Sequence, residues 1–192
     1  MQQLILASSS PYRQAILDKL NLNYETQSPD IDESAQDHES APDYVARLAL
    51  AKARALQAFY PDALIIGSDQ TAIINGTIIG KPGNYENAVK QLQDASGQVI
   101  TFLTAISVLN CRTDQSQTEV VPFKVHFRNL DPQMISNYLN AEQPYNCAGS
   151  FKSEGLGIAL FDKLEGDDPN TLVGLPLIRL IRMLEKENVK VI

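Results

Sequence analysis

Short apolar runs alternate along this chain with segments of helical periodicity, and that alternation restricts the fold more than any other feature. Leu4–Ala7, Ala63–Gly67, Val99–Leu109 and Ile158–Phe161 have the length and composition of buried strands. Between Val121 and Phe127, apolar residues at every second position describe a further strand with one buried face. Helix signals separate them. Ser10 and Pro11 open a helix expected to end near Leu20. Ser40 and Asp43 resemble a capping box, and Val45, Leu48, Ala49, Leu56 and Phe59 follow as one apolar stripe. Asn84 caps a helix through Ala95 that Gly97 closes, Asp131-Pro132 starts another, and Pro176–Glu187 is amphipathic. Thr71–Ile74 and Thr77–Ile79 flank Asn75-Gly76, a tight hairpin signal. The chain therefore predicts an α/β fold with a mixed twisted sheet flanked by helices. No linker forces a division, so residues 1–192 are expected to form a single domain.

The formal charge of −7 bears on partners. An acidic surface repels nucleic-acid backbone and anionic lipid, so neither nucleic acid nor membrane is an expected partner. It equally repels a free polyphosphate, so a phosphate ligand would require locally gathered cations or a metal ion. Two cysteines in a chain that can build its own core fit a reducing compartment. With no signal-type stretch and no apolar run of membrane-spanning length, a cytoplasmic location is expected.

Several residues sit where chemistry is commonly placed. Ser8-Ser9-Ser10-Pro11-Tyr12-Arg13 joins a buried strand to a helix N-terminus, where free N–H groups and hydroxyls can hold an anion. Arg13 in the first turn opposes the helix dipole by about 0.3–1 kcal/mol, a penalty that a bound phosphate reverses. The same residues also read as a capped helix with a solvent-facing arginine. Lys52 lies on the apolar stripe, either snorkelling to water or meeting an anion. Lys81, in GTIIGKP, follows no P-loop pattern because Pro82 stands where Ser or Thr is needed. It reads as an exposed loop lysine or as a point charge for phosphate. Asp69 is expected at the end of an apolar strand, as a metal ligand, a proton acceptor or a turn residue. Glu33, in the acidic loop Asp30–Glu33, is a second potential metal ligand. Asp167-Asp168-Pro169-Asn170 is a metal loop or a turn. Cys111, Cys147, His38 and His126 have no zinc spacing.

Three separated segments, LILASSSPYR, IIGSDQTAIINGTIIGKP and CAGSFKSEGLG with the later GDDPNTLVGLPL, together resemble the Maf family of nucleotide pyrophosphatases. The resemblance runs from near Leu4 to about Leu184. Gly67–Gln70 and Ala148–Gly157 look like the subgroup acting on 7-methyl-GTP; that subgroup often has Trp where this chain has Tyr12. The resemblance implies an elongated two-lobed structure with a deep central cleft, frequently dimeric. It implies hydrolysis of a small nucleotide substrate to the monophosphate and pyrophosphate, with Mg²⁺ or Mn²⁺ as cofactor. Asp69 matches the proton acceptor. Tyr12, Gln70 and Glu154 match positions that set base preference. Ser8, Arg13, Glu33, Lys52 and Lys81 match the phosphate and metal positions, with Glu33 and Asp69 as the metal pair. The alternatives are a pyrophosphatase for dTTP, UTP or other non-standard nucleotides, and a nucleotide-binding regulator of cell division without turnover.

Overall fold

The computed structural model describes residues 2–192. Seven strands form one sheet: β1 (Leu4–Ala7), β2 (Glu25–Gln27), β3 (Leu64–Ile74), β4 (Thr77–Ile79), β5 (Val99–Asn110), β6 (Gln115–Phe127) and β7 (Phe161–Glu165). Their order is β2-β1-β3-β5-β6-β7, with β4 paired to β3. β1 runs parallel to β2 and to β3, whereas β3–β4 and β6–β7 are antiparallel. The sheet is mixed, as the interleaved strand and helix signals predict. Among the described residues six α-helices accompany it: α1 (Pro11–Leu17), α2 (Ala41–Arg54), α3 (Tyr85–Ala95), α4 (Pro132–Glu142), α5 (Asn170–Val173) and α6 (Leu177–Lys186). No helix among the described residues is long and apolar enough to cross a membrane.

The chain packs as two compact units. The first comprises Met1–Asp69, Thr104–Val121 and Asp168–Ile192, and the second Gln70–Leu103 and Pro122–Asp167. Within the first, strand alternation sorts side chains onto two faces. Leu4, Leu6, Leu64, Ile66, Ile106 and Val108 pack with Ile16 and Leu17 of α1 and with Leu177, Leu180, Met183 and Leu184 of α6. Their odd-numbered neighbours Ile5, Ala7, Ile65 and Leu109 pack with Ala53 and Leu56, at and just beyond the end of α2. The second unit is centred on four aromatic rings. Phe151 stacks edge-on against Phe102, Phe127 and Phe161, with centroids 4.8–5.6 Å apart.

Local capping chemistry behaves as the sequence predicts. Ser10, Ser40, Asn84 and Asp131 each accept the N–H of the residue three positions on, at Arg13, Asp43, Asn87 and Met134. Asn75 and Gly76 both take positive φ, the geometry of a two-residue hairpin turn.

Three details differ from expectation, and a fourth concerns a strand that no sequence signal marks. β3 does not stop before Asp69 but continues to Ile74, because the hairpin's first arm extends the same ladder; Asp69 is mid-strand. Ile158 is exposed on a 3-10 turn (Leu156–Leu160), and the strand begins only at Phe161. A short apolar run carries no period that separates the two. Phe59 is 71% exposed because α2 ends at Arg54, before the stripe reaches it. β2 is short, polar and exposed, an edge strand held by backbone pairing with β1 rather than by burial.

Candidate functional site

Asp69 projects from the face of β3 that α2 covers. The approach is close: a Cβ built on Gly67, two residues earlier on that face, would lie 2.0 Å from the carbonyl oxygen of Ala49. Glycine at 67 thus lets the helix settle onto the strand. At that depth Lys52, one turn further along α2, is buried, and its Nζ reaches Asp69 Oδ1 at 2.6 Å. The same ammonium lies 2.8 Å from Glu33 Oε1. One buried cation therefore joins a strand carboxylate to a loop carboxylate.

α2 also holds the loop that brings Glu33 in. Tyr44 Oη donates to the Glu33 carbonyl at 2.9 Å, and Arg47 Nη2 donates to the next carbonyl, Ser34, at 3.0 Å. Arg47 is itself fixed by two bonds to Glu39, at 2.5 and 2.7 Å. Tyr44 and Arg47 are functional neighbours that the linear pattern did not single out, because their partners lie in a loop without periodicity.

Arg13 is half-buried, and Asp69 and Glu33 both act on its charge. Burial pulls its guanidinium below the ordinary arginine value, and the two carboxylates oppose that pull. Its Nε donates to the carbonyl of Gly174 at 3.0 Å. That carbonyl lies 2.8 Å from the buried hydroxyl of Ser68, which also lies 2.8 Å from the carbonyl of Ala105. Gly174 has φ of 112°, outside the range of most side chains, and a Cβ there would lie 3.2 Å from Arg13 Nε. The turn that orients Arg13 thus needs glycine, and its signal was present in the GLP of the last motif.

Asp69 shows how these charges balance. Burial raises its pKa above the usual carboxylate range. Lys52 and then Arg13 pull it down, and Glu33 pushes it up. The result is a carboxylate held near a cation yet more basic than an exposed one, the property a proton acceptor needs.

Ser8, Tyr12, Arg13, Glu33, Lys52 and Asp69 all belong to the first unit. Ser8 is buried, and its hydroxyl accepts from the Ser10 N–H at 3.1 Å, so it shapes the turn before α1. Tyr12 is exposed in the first turn of α1. Gln70, Lys81 and Glu154 belong to the second unit. Gln70 is half-buried in β3, and Lys81 is exposed after β4. Lys81 and Glu154 share a neighbour in Cys147: burial and Glu154 raise its thiol pKa, while Lys152 and Lys81 lower it. Asp168 is explained by turn chemistry, because its carboxylate accepts from Asn170 N at 2.9 Å, Asn170 Nδ2 at 2.7 Å and Ile178 N at 2.9 Å.

The fold is similar to that of the Ham1 protein of Staphylococcus aureus, with a TM-score of 0.56 over 97% of this chain and 100% of that one, at 13% identity. Relatives of full length are much nearer in sequence. A 7-methyl-GTP pyrophosphatase of Pseudomonas savastanoi pv. phaseolicola is 56% identical over 100% of both chains. Proteins of the same name from Colwellia psychrerythraea and Pseudomonas aeruginosa are 54% identical, covering 100% of this chain and 96% and 100% of theirs. Residues 3–187 match the family described as Maf-like protein, and the chain belongs to that family.

Proposed function

We propose that this chain hydrolyses 7-methyl-GTP to 7-methyl-GMP and pyrophosphate. The observation that carries the reading is the Asp69–Lys52–Glu33 cluster, in which Asp69 and Lys52 are buried, with Arg13 beside it, at positions that the family resemblance assigns to the proton acceptor and to phosphate and metal binding. The shared name of three relatives at 54–56% identity supports the choice of substrate.

The chemistry follows from the residues. Water attacks the α-phosphorus, a new P–O bond forms, and the bond to the β-phosphate oxygen breaks with pyrophosphate leaving. Asp69 accepts the water proton. Its raised pKa favours that transfer, and Lys52 keeps it ionised beforehand. Arg13 and Lys52 offset phosphate charge as it develops on the leaving group, with Lys81 assigned the same role by the motif match.

Glu33 and Asp69 fit a hard divalent cation, because both present oxygens to a point where one positive charge is already held. No cluster of three or more metal-ligating side chains exists among the described residues. Mg²⁺ and Mn²⁺ suit such a sparse set, since one or two carboxylates suffice when water and phosphate complete the shell. When bound, such an ion supplies further neutralisation of the phosphate oxygens. A carboxylate cannot freely bind metal and accept a proton together, so Glu33 is the leading metal ligand and Asp69 the leading base.

Selectivity is assigned to Tyr12, Gln70 and Glu154. N7-methylation makes guanine cationic, which favours stacking on Tyr12 by about 0.5–2 kcal/mol. The Glu154 carboxylate suits that cation and the N1 and N2 donors of guanine. We place the reaction in the cytoplasm, in keeping with two cysteines that form no disulfide.

The test is pyrophosphate release from 7-methyl-GTP, GTP, dTTP and UTP with Mg²⁺ or Mn²⁺ present. The highest kcat/KM is expected with 7-methyl-GTP. Preference for dTTP or UTP would transfer the assignment to the other subgroup, and binding without release from any of them would remove the enzymatic reading.

A further inference from the structure

The loop that carries Glu154 is gripped from both sides by one helix. On the upstream side the Lys152 N–H donates to Tyr138 Oη at 3.0 Å. Lys152 Nζ donates to the Glu142 carbonyl at 2.7 Å and lies 3.5 Å from Glu142 Oε2. On the downstream side the Leu156 N–H donates to Glu142 Oε1 at 2.8 Å. These anchors fall two residues before and two residues after Glu154. Tyr138 and Glu142 are four residues apart on α4, so they present one face to the loop.

Gly155 packs against the gripping carboxylate, and Gly157 packs against the loop's own backbone. A Cβ on Gly155 would lie 2.7 Å from Glu142 Oε1, and one on Gly157 would lie 2.3 Å from the Lys152 carbonyl oxygen. Both distances are shorter than real side chains tolerate. Glu154 itself is exposed and accepts from Ser153 Oγ at 3.3 Å, so its placement is set by the backbone that bears it.

We propose that Glu142 and Tyr138 are positioning residues for nucleobase selectivity, acting by holding the Glu154 loop in one geometry. The inference rests on the role proposed for Glu154. A carboxylate that reads a pair of N–H donors must be held to within about 0.5 Å. A five-residue loop containing glycine does not achieve that without external anchors. The Glu142 side chain holds the Leu156 flank through Oε1 and faces Lys152 Nζ through Oε2, so its removal frees the downstream side of Glu154 and weakens the upstream one, where the backbone carbonyl of residue 142 and Tyr138 Oη remain.

The experiment compares kcat/KM for 7-methyl-GTP and for GTP in the wild type, Glu154→Gln, Glu142→Ala, Glu142→Gln, Tyr138→Phe and the double variant Glu142→Ala/Glu154→Gln. Glu154→Gln is expected to lower the methylated-to-unmethylated ratio about tenfold, the value of one charge-assisted hydrogen bond. Glu142→Ala is expected to lower that ratio by about threefold or more, mainly through KM for 7-methyl-GTP, with kcat on GTP retained. Glu142→Gln keeps an oxygen for the Leu156 N–H and should hold most of the ratio. The double variant should be no less selective than Glu154→Gln alone. An unchanged ratio in Glu142→Ala beside a lowered one in Glu154→Gln overturns the inference, as does an equal fall for both substrates. If Glu142→Ala does not fold, Tyr138→Phe, which conserves volume, decides the question by the same ratio. An unchanged ratio in Glu154→Gln itself refutes the role of Glu154, and the inference falls with it.

Discussion

Lys52 Nζ lies 2.6 Å from Asp69 Oδ1, and both side chains are about nine-tenths buried where α2 packs on β3. The ion pair opposes the burial that raises the Asp69 pKa. In Lys52→Met the largest opposing influence is gone, so Asp69 titrates at higher pH than in the wild type. A base must be ionised to act, so the acid limb of the kcat/KM profile should move toward higher pH. Turnover near neutrality should fall by about tenfold or more, because the substitution also removes a cation from the charge that develops on the phosphate. A pH–rate profile in which the acid limb stays in place would separate Lys52 from the titration of Asp69.

Asp69→Asn should reduce turnover by about 10²–10⁴-fold, the usual contribution of a positioned base. Stability should respond differently. A carboxyl group whose folded pKa is raised contributes stability at low pH that is lost as pH rises through the folded value. Ionised Asp69 is therefore a burden on the fold near neutrality, and Asn removes it while Glu33 still pairs Lys52. Thermal unfolding near neutral pH should give a Tm equal to or above that of the wild type, with the advantage shrinking in acid. A large drop in Tm at neutral pH would mark Asp69 as a structural partner rather than a strained functional group.

Gly67→Ala should damage both fold and activity. The added methyl meets the Ala49 carbonyl and the backbone of Ala53, neither of which can rotate away. Overpacking of this kind costs about 1–3 kcal/mol. Relief requires α2 to lift from β3, which withdraws Lys52 from Asp69. The measurements are denaturant unfolding and pyrophosphate release, and wild-type values for both would mean that the helix accommodates the methyl without moving.

Tyr12→Ala should leave Tm unchanged, because the ring is exposed in the first turn of α1. KM for 7-methyl-GTP should rise by roughly 2–30-fold, the equivalent of about 0.5–2 kcal/mol of cation–π contact. Tyr12→Trp should lower it, since indole is the better face for a cation. Equal changes for GTP would show that the ring contributes general stacking and no recognition of the methylated base.

Much of the local structure was legible along the chain. Four helix starts were readable because a cap and the N–H it accepts lie three residues apart, within one turn. The Asn75-Gly76 turn was readable because its backbone needs two positive φ values, which few residue pairs provide. Failures arose where local pattern competes with sheet pairing. Glu25–Gln27 shows no apolar alternation and is a strand only because β1 offers it a ladder. Asp69 was expected at a strand end, yet β3 runs through it to Ile74.

The candidate site divides the same way. Arg13, Glu33, Lys52 and Asp69 could each be named from residue type and motif, but each also had an ordinary structural explanation. Residue order determined the element types, the caps and the family motifs, because those depend on contacts within a few positions. Tertiary structure alone decided that Lys52 is buried between two carboxylates, that Gly174 orients Arg13, and that Glu142 grips the Glu154 loop. Those are electrostatic and packing relations between residues 10 to 161 positions apart, and only the closing of the sheet and its helices sets their distances.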